Sequence, residues 1–289
     1  MRKVTICMFS TIFVASTALA QKDAEFMSSV LSARVVELNF VWDRNSPLMP
    51  LNPPFSIVLH TSHKETEGMI PGMSFAADLM VFSGQHGAPN IDAIGHIASH
   101  GKLYGGIDAV SSETTAGMTV HGIENYPKEK FVNRGVLLDV ARQKGVDALE
   151  PGYVITASDL EETAKAENVV LRAGDSVLIN TGFGQYFESD PAKYLGPHPG
   201  IGEESARWLA AKKIFLTGAD QLTFDAGPPF PGHRILIAEN GVHLVENLNL
   251  IELSSLLAER GSYEFVLVVN PVRLRGATGA PLNAFALLP

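Results

Sequence analysis

The sequence predicts an α/β fold on a mixed sheet, in one folding unit. Three observations lead there. Short β-rich apolar runs recur along the chain, each bounded by Gly, Pro, Asn or Asp. Helical patterns stand between them in the second half only, while the first half is strand and loop, so a regular βαβ series is not expected. No repeat, linker or composition shift divides the chain. Of 289 residues, 46% are hydrophobic and 18% charged, which excludes a disordered scaffold.

The first twenty residues stand apart. Met1-Arg2-Lys3 leads into an uncharged stretch that closes on Ala18-Leu19-Ala20. A positive start, an apolar middle and an A-x-A end read as a signal peptide over 1–20, leaving 21–289 as the mature domain. A membrane anchor is the competing reading, but the apolar run is barely long enough to span and ends in small residues. Cleavage would remove Cys7, the only cysteine, and with it any disulfide or thiolate metal cluster. The expected location is periplasmic or secreted. No later apolar stretch is long enough to cross a bilayer, so no membrane association is expected after cleavage. The net charge of −9, made more negative by loss of Arg2 and Lys3, disfavours a nucleic-acid partner.

Strands are expected over 35–41, 55–60, 135–140, 176–180, 213–217 and 264–269, where apolar and β-branched residues dominate. Three helices are expected. Ser158-Asp159-Leu160-Glu161 reads as a capping box that opens a helix toward Asn168. Ala206, Leu209 and Ala210 carry a helical apolar stripe within 202–212. Leu250, Leu253, Leu256 and Leu257 do the same within 248–260, with Arg260-Gly261 as the stop.

Several chemistries lack their signatures. There is no G-x-S-x-G elbow, no P-loop and no H-E-x-x-H pair, and Thr181-Gly182-Phe183-Gly184 lacks the third glycine of a dinucleotide fingerprint. Histidine remains. His86, Asn90, Asp92 and His96 lie in a Gly/Pro-rich run from Gly84 to His96, which predicts a loop or irregular strand. Asn90 and Asp92 are two apart and share a face if the chain is extended. Imidazole with carboxylate suits Zn²⁺, Mn²⁺ or Fe²⁺ better than Ca²⁺ or Mg²⁺. From spacing alone structural hydrogen bonding is the stronger reading of the cluster, and a metal centre the alternative. Downstream, His233 follows the turn-rich Gly227-Pro228-Pro229-Phe230-Pro231-Gly232, and Glu246 precedes an expected helix start, where the dipole favours an acid in any case.

Taken together these segments resemble the metal-dependent cyclase family, which includes bacterial kynurenine formamidases (arylformamidases) and isatin hydrolases. The family's H-x-G-T-H-x-D-x-x-x-H is matched at His86, Asp92 and His96, with Ala88-Pro89-Asn90 in place of G-T-H. Gly174-Asp175-Ser176-Val177-Leu178-Ile179-Asn180-Thr181-Gly182 is similar to its G-D-x-V-L-I-x-T-G strand. Pro199-Gly200-Ile201, Thr217-Gly218-Ala219-Asp220 and Gly276-Ala277-Thr278-Gly279-Ala280-Pro281 follow in the family's order.

The resemblance implies a mixed-sheet, swivelling β/β/α-type domain and a metal-dependent hydrolase of C–N bonds other than peptide bonds. It implies Zn²⁺ or Mn²⁺ held by His86, Asp92, His233 and Glu246, with Asn90 as a weaker ligand where the family has histidine. His96 would be the general acid/base, because an imidazole titrates near neutrality. The implied substrate is a small amide or cyclic amide, arylformamide- or lactam-like, and the implied assembly a homo-oligomer. The exchange of histidine for Asn90 also supports a competing expectation: a non-catalytic small-molecule-binding protein with a degenerate metal site.

Overall fold

Apolar residues on both faces of the central strands require cover on both sides, and the chain meets this by closing its sheet. The structure, a computed structural model, describes residues 21–85 and 87–288. The expected signal peptide and His86 lie outside the described residues. The main sheet contains β1 (Arg34–Glu37), β4 (Asn90–Asp92), β5 (Val132–Asp139), β6 (Ser176–Asn180), β7 (Leu216–Ala219), β8 (His243–Glu246), β9 (Glu264–Pro271) and β10 (Gly279–Leu288). β2 (Ser56–Thr61) and β3 (Ala77–Val81) form a separate hairpin.

The order is β1-β10-β9-β5-β6-β7-β8-β4, and β10 also pairs with β4. Seven strands therefore close into a barrel-like sheet, with β1 outside on β10. Strands β5 to β8 run parallel, and β9, β10 and β4 complete the ring in antiparallel pairings. This is the mixed sheet expected from the sequence.

Alternation along each strand sorts side chains into two layers. Ile91, Leu137, Leu178, Leu216, Val245 and Leu267 belong to the cluster that fills the closed sheet. Val136, Leu138, Val177, Ile179 and Leu244 face the other way, against helices α1 (Ala157–Ala166) and α2 (Glu203–Ala211). Helix α3 (Ile251–Arg260) adds Leu253 and Leu257 to the first layer. Among the described residues no helix is long and apolar enough to cross a membrane.

Boundaries differ from the sequence expectation in physically clear ways. Helix α1 starts earlier, because the capping box is Thr156 with Asp159 rather than Ser158 with Glu161. Thr156 has extended backbone and accepts from the Asp159 N–H, while the Asp159 carboxylate takes the Thr156 N–H. Helix α3 begins at Ile251 rather than 248, since Leu248 and Leu250 are buried in the lead-in. It stops as expected at Gly261, with φ 63°. The run expected as a loop or irregular strand, 84–96, holds the short, fully buried strand β4. Glu246 ends strand β8 rather than preceding a helix start, so the helix dipole does not explain it.

Candidate metal centre

Parallel strands present their C-terminal ends at one edge, and that edge is where α/β sheets place ligands. β8 delivers Glu246 there. β4 runs the opposite way beside it, with Asn90 paired to Glu246 and Asp92 to Leu244. The inward turn of Ile91 and Val245 sends Asn90, Asp92 and Glu246 to the outer face together. The third component comes from a π-helix, His233–Glu239, whose first residue turns into the same place. π-helical turns are uncommon and gather at functional sites.

One ligand atom each from Asp92, His233 and Glu246 lies within 4.8 Å of the others. His233 Nε2 is 3.3 Å from Glu246 Oε1 and 3.6 Å from Asp92 Oδ2. Its Nδ1 is 2.6 Å from Asp225 Oδ2. Nδ1–H donated to a buried carboxylate leaves Nε2 as the free donor atom, the usual orientation of a metal-ligating histidine. Asp225 also accepts the main-chain N–H groups of Gly232 and His233. A Cβ on Gly232 would stand 2.8 Å from Asp225 Oδ1, so a glycine is needed for the carboxylate to come this close.

Both oxygens of Asp92 are buried without a hydrogen-bond partner among the described residues. A carboxylate in that state is costly unless a cation compensates it. Burial pushes the Asp92 carboxyl up; the pull of the nearby histidines and the push of Glu246 leave it raised. Burial would raise Glu246 as well, but the hydrogen bond and charge of His233 and the Phe224 N–H bring it below its ordinary value. Burial presses His233 down, and its bonds to Asp225 and Glu246 outweigh that and hold it well above the usual imidazole range. Two carboxylates and an imidazole nitrogen, with unmet oxygen valence, fit a divalent ion.

A cavity of about 300 Å³ opens above this cluster. Asp92, His233 and Glu246 form its floor, and Met49, Leu222 and Phe230 are among its apolar lining. His96 lines it as well, with its ring 6.5 Å from that of His233. The Gln85 amide is 3.4 Å from His96 Nδ1 and 3.0 Å from Thr278 Oγ1.

A profile described as "Putative cyclase" matches residues 31–226. The chain belongs to this cyclase family. An isatin hydrolase of Roseibium aggregatum is 28% identical over 95% of this chain and 98% of its own. Among solved structures, a novel cyclase is similar with TM-score 0.81 and 29% identity, over 90% of this chain and 89% of that one. An isatin hydrolase bound to the product analogue thioisatinate shares the fold, with TM-score 0.70 and 21% identity over 95% and 99%.

The structure brings Asp92, His96, His233 and Glu246 together around one cavity, with Asn90 paired to Glu246 beside it. His86 lies outside the described residues. Asn90 is fully buried, and its Oδ1 meets Asn247 Nδ2 at 2.9 Å. Sequence reasoning missed Gln85, Asp225 and Asn247. Gln85 and Asn247 sit beside motif residues, which was their signal. Asp225 had a weaker one, an acid eight positions before His233 and just beyond the end of β7. His243 is buried as well, and its ring bonds the Asp92 main-chain oxygen. Burial lowers its pKa to about 4.

Proposed function

We propose that the protein is an exported, metal-dependent hydrolase of a small amide or cyclic amide, arylformamide- or lactam-like. The observation that carries this reading is the unmet valence of buried Asp92 beside His233 and Glu246, under a cavity with a histidine in its wall. The resemblance of the whole chain to an isatin hydrolase supports the lactam class. The cavity volume suits one or two rings and excludes a folded peptide.

When bound, a Zn²⁺ or Mn²⁺ ion supplies Lewis acidity, polarising a carbonyl and acidifying water. Asp92, His233 and Glu246 hold the ion, and His86 and Asn90 are assigned to the same shell from the motif. Asp225 fixes the His233 ring so that Nε2 faces the site. Met49, Leu222 and Phe230 seat the apolar part of the substrate and exclude bulk water. His96 takes a proton from the attacking water and returns it to the leaving nitrogen, and the Gln85 amide lies 3.4 Å from its Nδ1. The leader over 1–20 is the basis for placing this activity in the periplasm or outside the cell.

A second copy of the chain is the proposed partner. The β2–β3 hairpin exposes Ile57, Val58, Leu59, Leu79, Met80 and Val81 on both of its faces. An isolated two-stranded hairpin is marginal in water. Met69, Ile70, Met73, Phe75 and Phe82, from the connection between the two strands and its flanks, are exposed as well.

The test is metal content of protein purified without chelator, beside Asp92→Ala, followed by hydrolysis assays with isatin and N-formylaniline. Stoichiometric metal, lost in Asp92→Ala, with turnover of either compound, supports the proposal. Retention of a tightly bound amide with no turnover at any metal load would make the protein a binder.

A further inference from the structure

Asn90 stands directly across from Glu246 and two residues before Asp92 on the same face, so its amide borders the metal centre. Its orientation is fixed by a buried chain of hydrogen bonds. Asn90 Oδ1 is 2.9 Å from Asn247 Nδ2. Asn247 Oδ1 is 2.9 Å from the Tyr194 hydroxyl, which is also 3.1 Å from the Asp220 main-chain oxygen. Tyr194, Asn247 and Asn90 are all buried.

This arrangement carries two faults. A tyrosine hydroxyl has one proton, yet here it faces two acceptors. Asn90 Nδ2 is buried with no acceptor among the described residues. A half-turn of both amides about χ2 keeps every heavy-atom position, removes the first fault and turns the orphaned donor of Asn90 into a buried acceptor that a cation can satisfy. The Asp220 oxygen can only accept, so it takes the hydroxyl proton. The hydroxyl oxygen then accepts from the Asn247 NH₂, and the Asn247 carbonyl accepts from the Asn90 NH₂. The half-turn gives up only the weak 3.5 Å approach of the Asn247 amide to the Gly87 main-chain oxygen. It leaves a carbonyl oxygen at the outer corner of Asn90, beside Asp92 and Glu246.

We propose that Tyr194 and Asn247 are positioning residues that turn the carbonyl oxygen of Asn90 toward the metal centre, giving an oxygen-rich ligand set that favours Mn²⁺ over Zn²⁺ relative to a histidine at position 90. The proposal rests on the reading that Asp92, His233 and Glu246 hold a divalent ion. An amide oxygen is a harder donor than imidazole, so the exchange shifts selectivity toward oxygen-seeking ions.

The experiment is calorimetric titration of metal-stripped full-length protein with MnCl₂ and with ZnCl₂. The variants are Asn90→His, Asn90→Leu, Asn90→Asp, Tyr194→Phe, Asn90→Asp/Tyr194→Phe and Asp92→Ala, with circular dichroism as the fold control. Asn90→His raises the Zn²⁺/Mn²⁺ affinity ratio by about tenfold or more. Tyr194→Phe weakens Mn²⁺ binding by about tenfold, as loss of an outer-shell partner does. In the Asn90→Asp background the same change has no effect, because a carboxylate offers oxygen whichever way it turns. Mn²⁺ affinity lost in Asp92→Ala but unchanged in Asn90→Leu and Tyr194→Phe overturns the proposal and leaves the metal centre standing. No Mn²⁺ or Zn²⁺ binding by the wild-type protein overturns both.

Discussion

Asp225→Asn tests whether the His233 ring is held for a metal. Asp225 is fully buried and accepts three N–H groups: those of Gly232 and His233 in the main chain, and His233 Nδ1 at 2.6 Å. Asparagine keeps the shape but has one oxygen, so at least one buried N–H loses its acceptor. That costs about 1–3 kcal/mol of stability. For a chain of this size the melting temperature should fall by roughly 2–4 °C per kcal/mol. The effect on the ion is separate. The imidazole loses a charged acceptor and with it basicity at Nε2, and outer-shell changes of this kind lower metal affinity by about 10–100-fold. That corresponds to roughly 1.4–2.7 kcal/mol. Both quantities are read on the same preparation: melting by circular dichroism without metal, and affinity by calorimetry at a temperature where the variant is fully folded. An Asp225→Asn protein that is folded yet binds Mn²⁺ or Zn²⁺ within about twofold of wild type would refute the reasoning, since such a change is far below the outer-shell effect.

Three further outcomes are expected. His96→Gln should lower kcat on an accepted amide by about 10²–10⁴-fold with metal content unchanged; parallel loss of metal would show that His96 is a ligand instead. Glu167→Gln should flatten the pH dependence of stability. Burial, against the pull of the Asp139 N–H, raises this carboxyl from 4.5 to about 8. Between those values the folded chain keeps a proton that the unfolded chain has lost, so stability falls as pH rises, by at most about 1.4 kcal/mol per pH unit. Thermal melts at pH 5 and pH 8 would show the variant gaining on wild type only at the higher pH, and an equal offset at both would count against it. Val58→Lys with Leu59→Lys places charge on both faces of the hairpin. Light scattering should show wild-type dimers giving way to monomers, and a monomeric wild type at about 50 μM would remove the second copy as the hairpin's partner.

Much of this molecule was legible in its sequence because the signals were local. Strands 176–180 and 264–269 announced themselves by β-branched residues between turn formers, and α2 and α3 by apolar spacing. The Gly261 stop needed only a residue that tolerates positive φ. Asp92, His96, His233 and Glu246 were found by motif order, which preserves identity without geometry. β10 escaped notice because Asn283 and Pro281 break its apolar pattern, although ten residues pair there. The capping box was misplaced by two positions because Thr156 and Ser158 offer the same hydroxyl, and only the backbone angles choose between them.

What the sequence alone determined, then, is the set of chemical groups and the mixed α/β character that carries them. Which groups meet was decided by tertiary structure. His233 and Glu246 are 13 positions apart and Asp92 is far upstream, yet closure of the sheet through β4 and β10 sets β4 beside β8 and places the three within 4.8 Å. The orphaned oxygens of Asp92, the grip of Asp225 on His233 and the chain from Tyr194 through Asn247 to Asn90 arise from long-range packing. Burial and hydrogen bonding of a side chain depend on what the fold lays against it, and that partner is set by strand pairing rather than by the neighbouring residues in the chain.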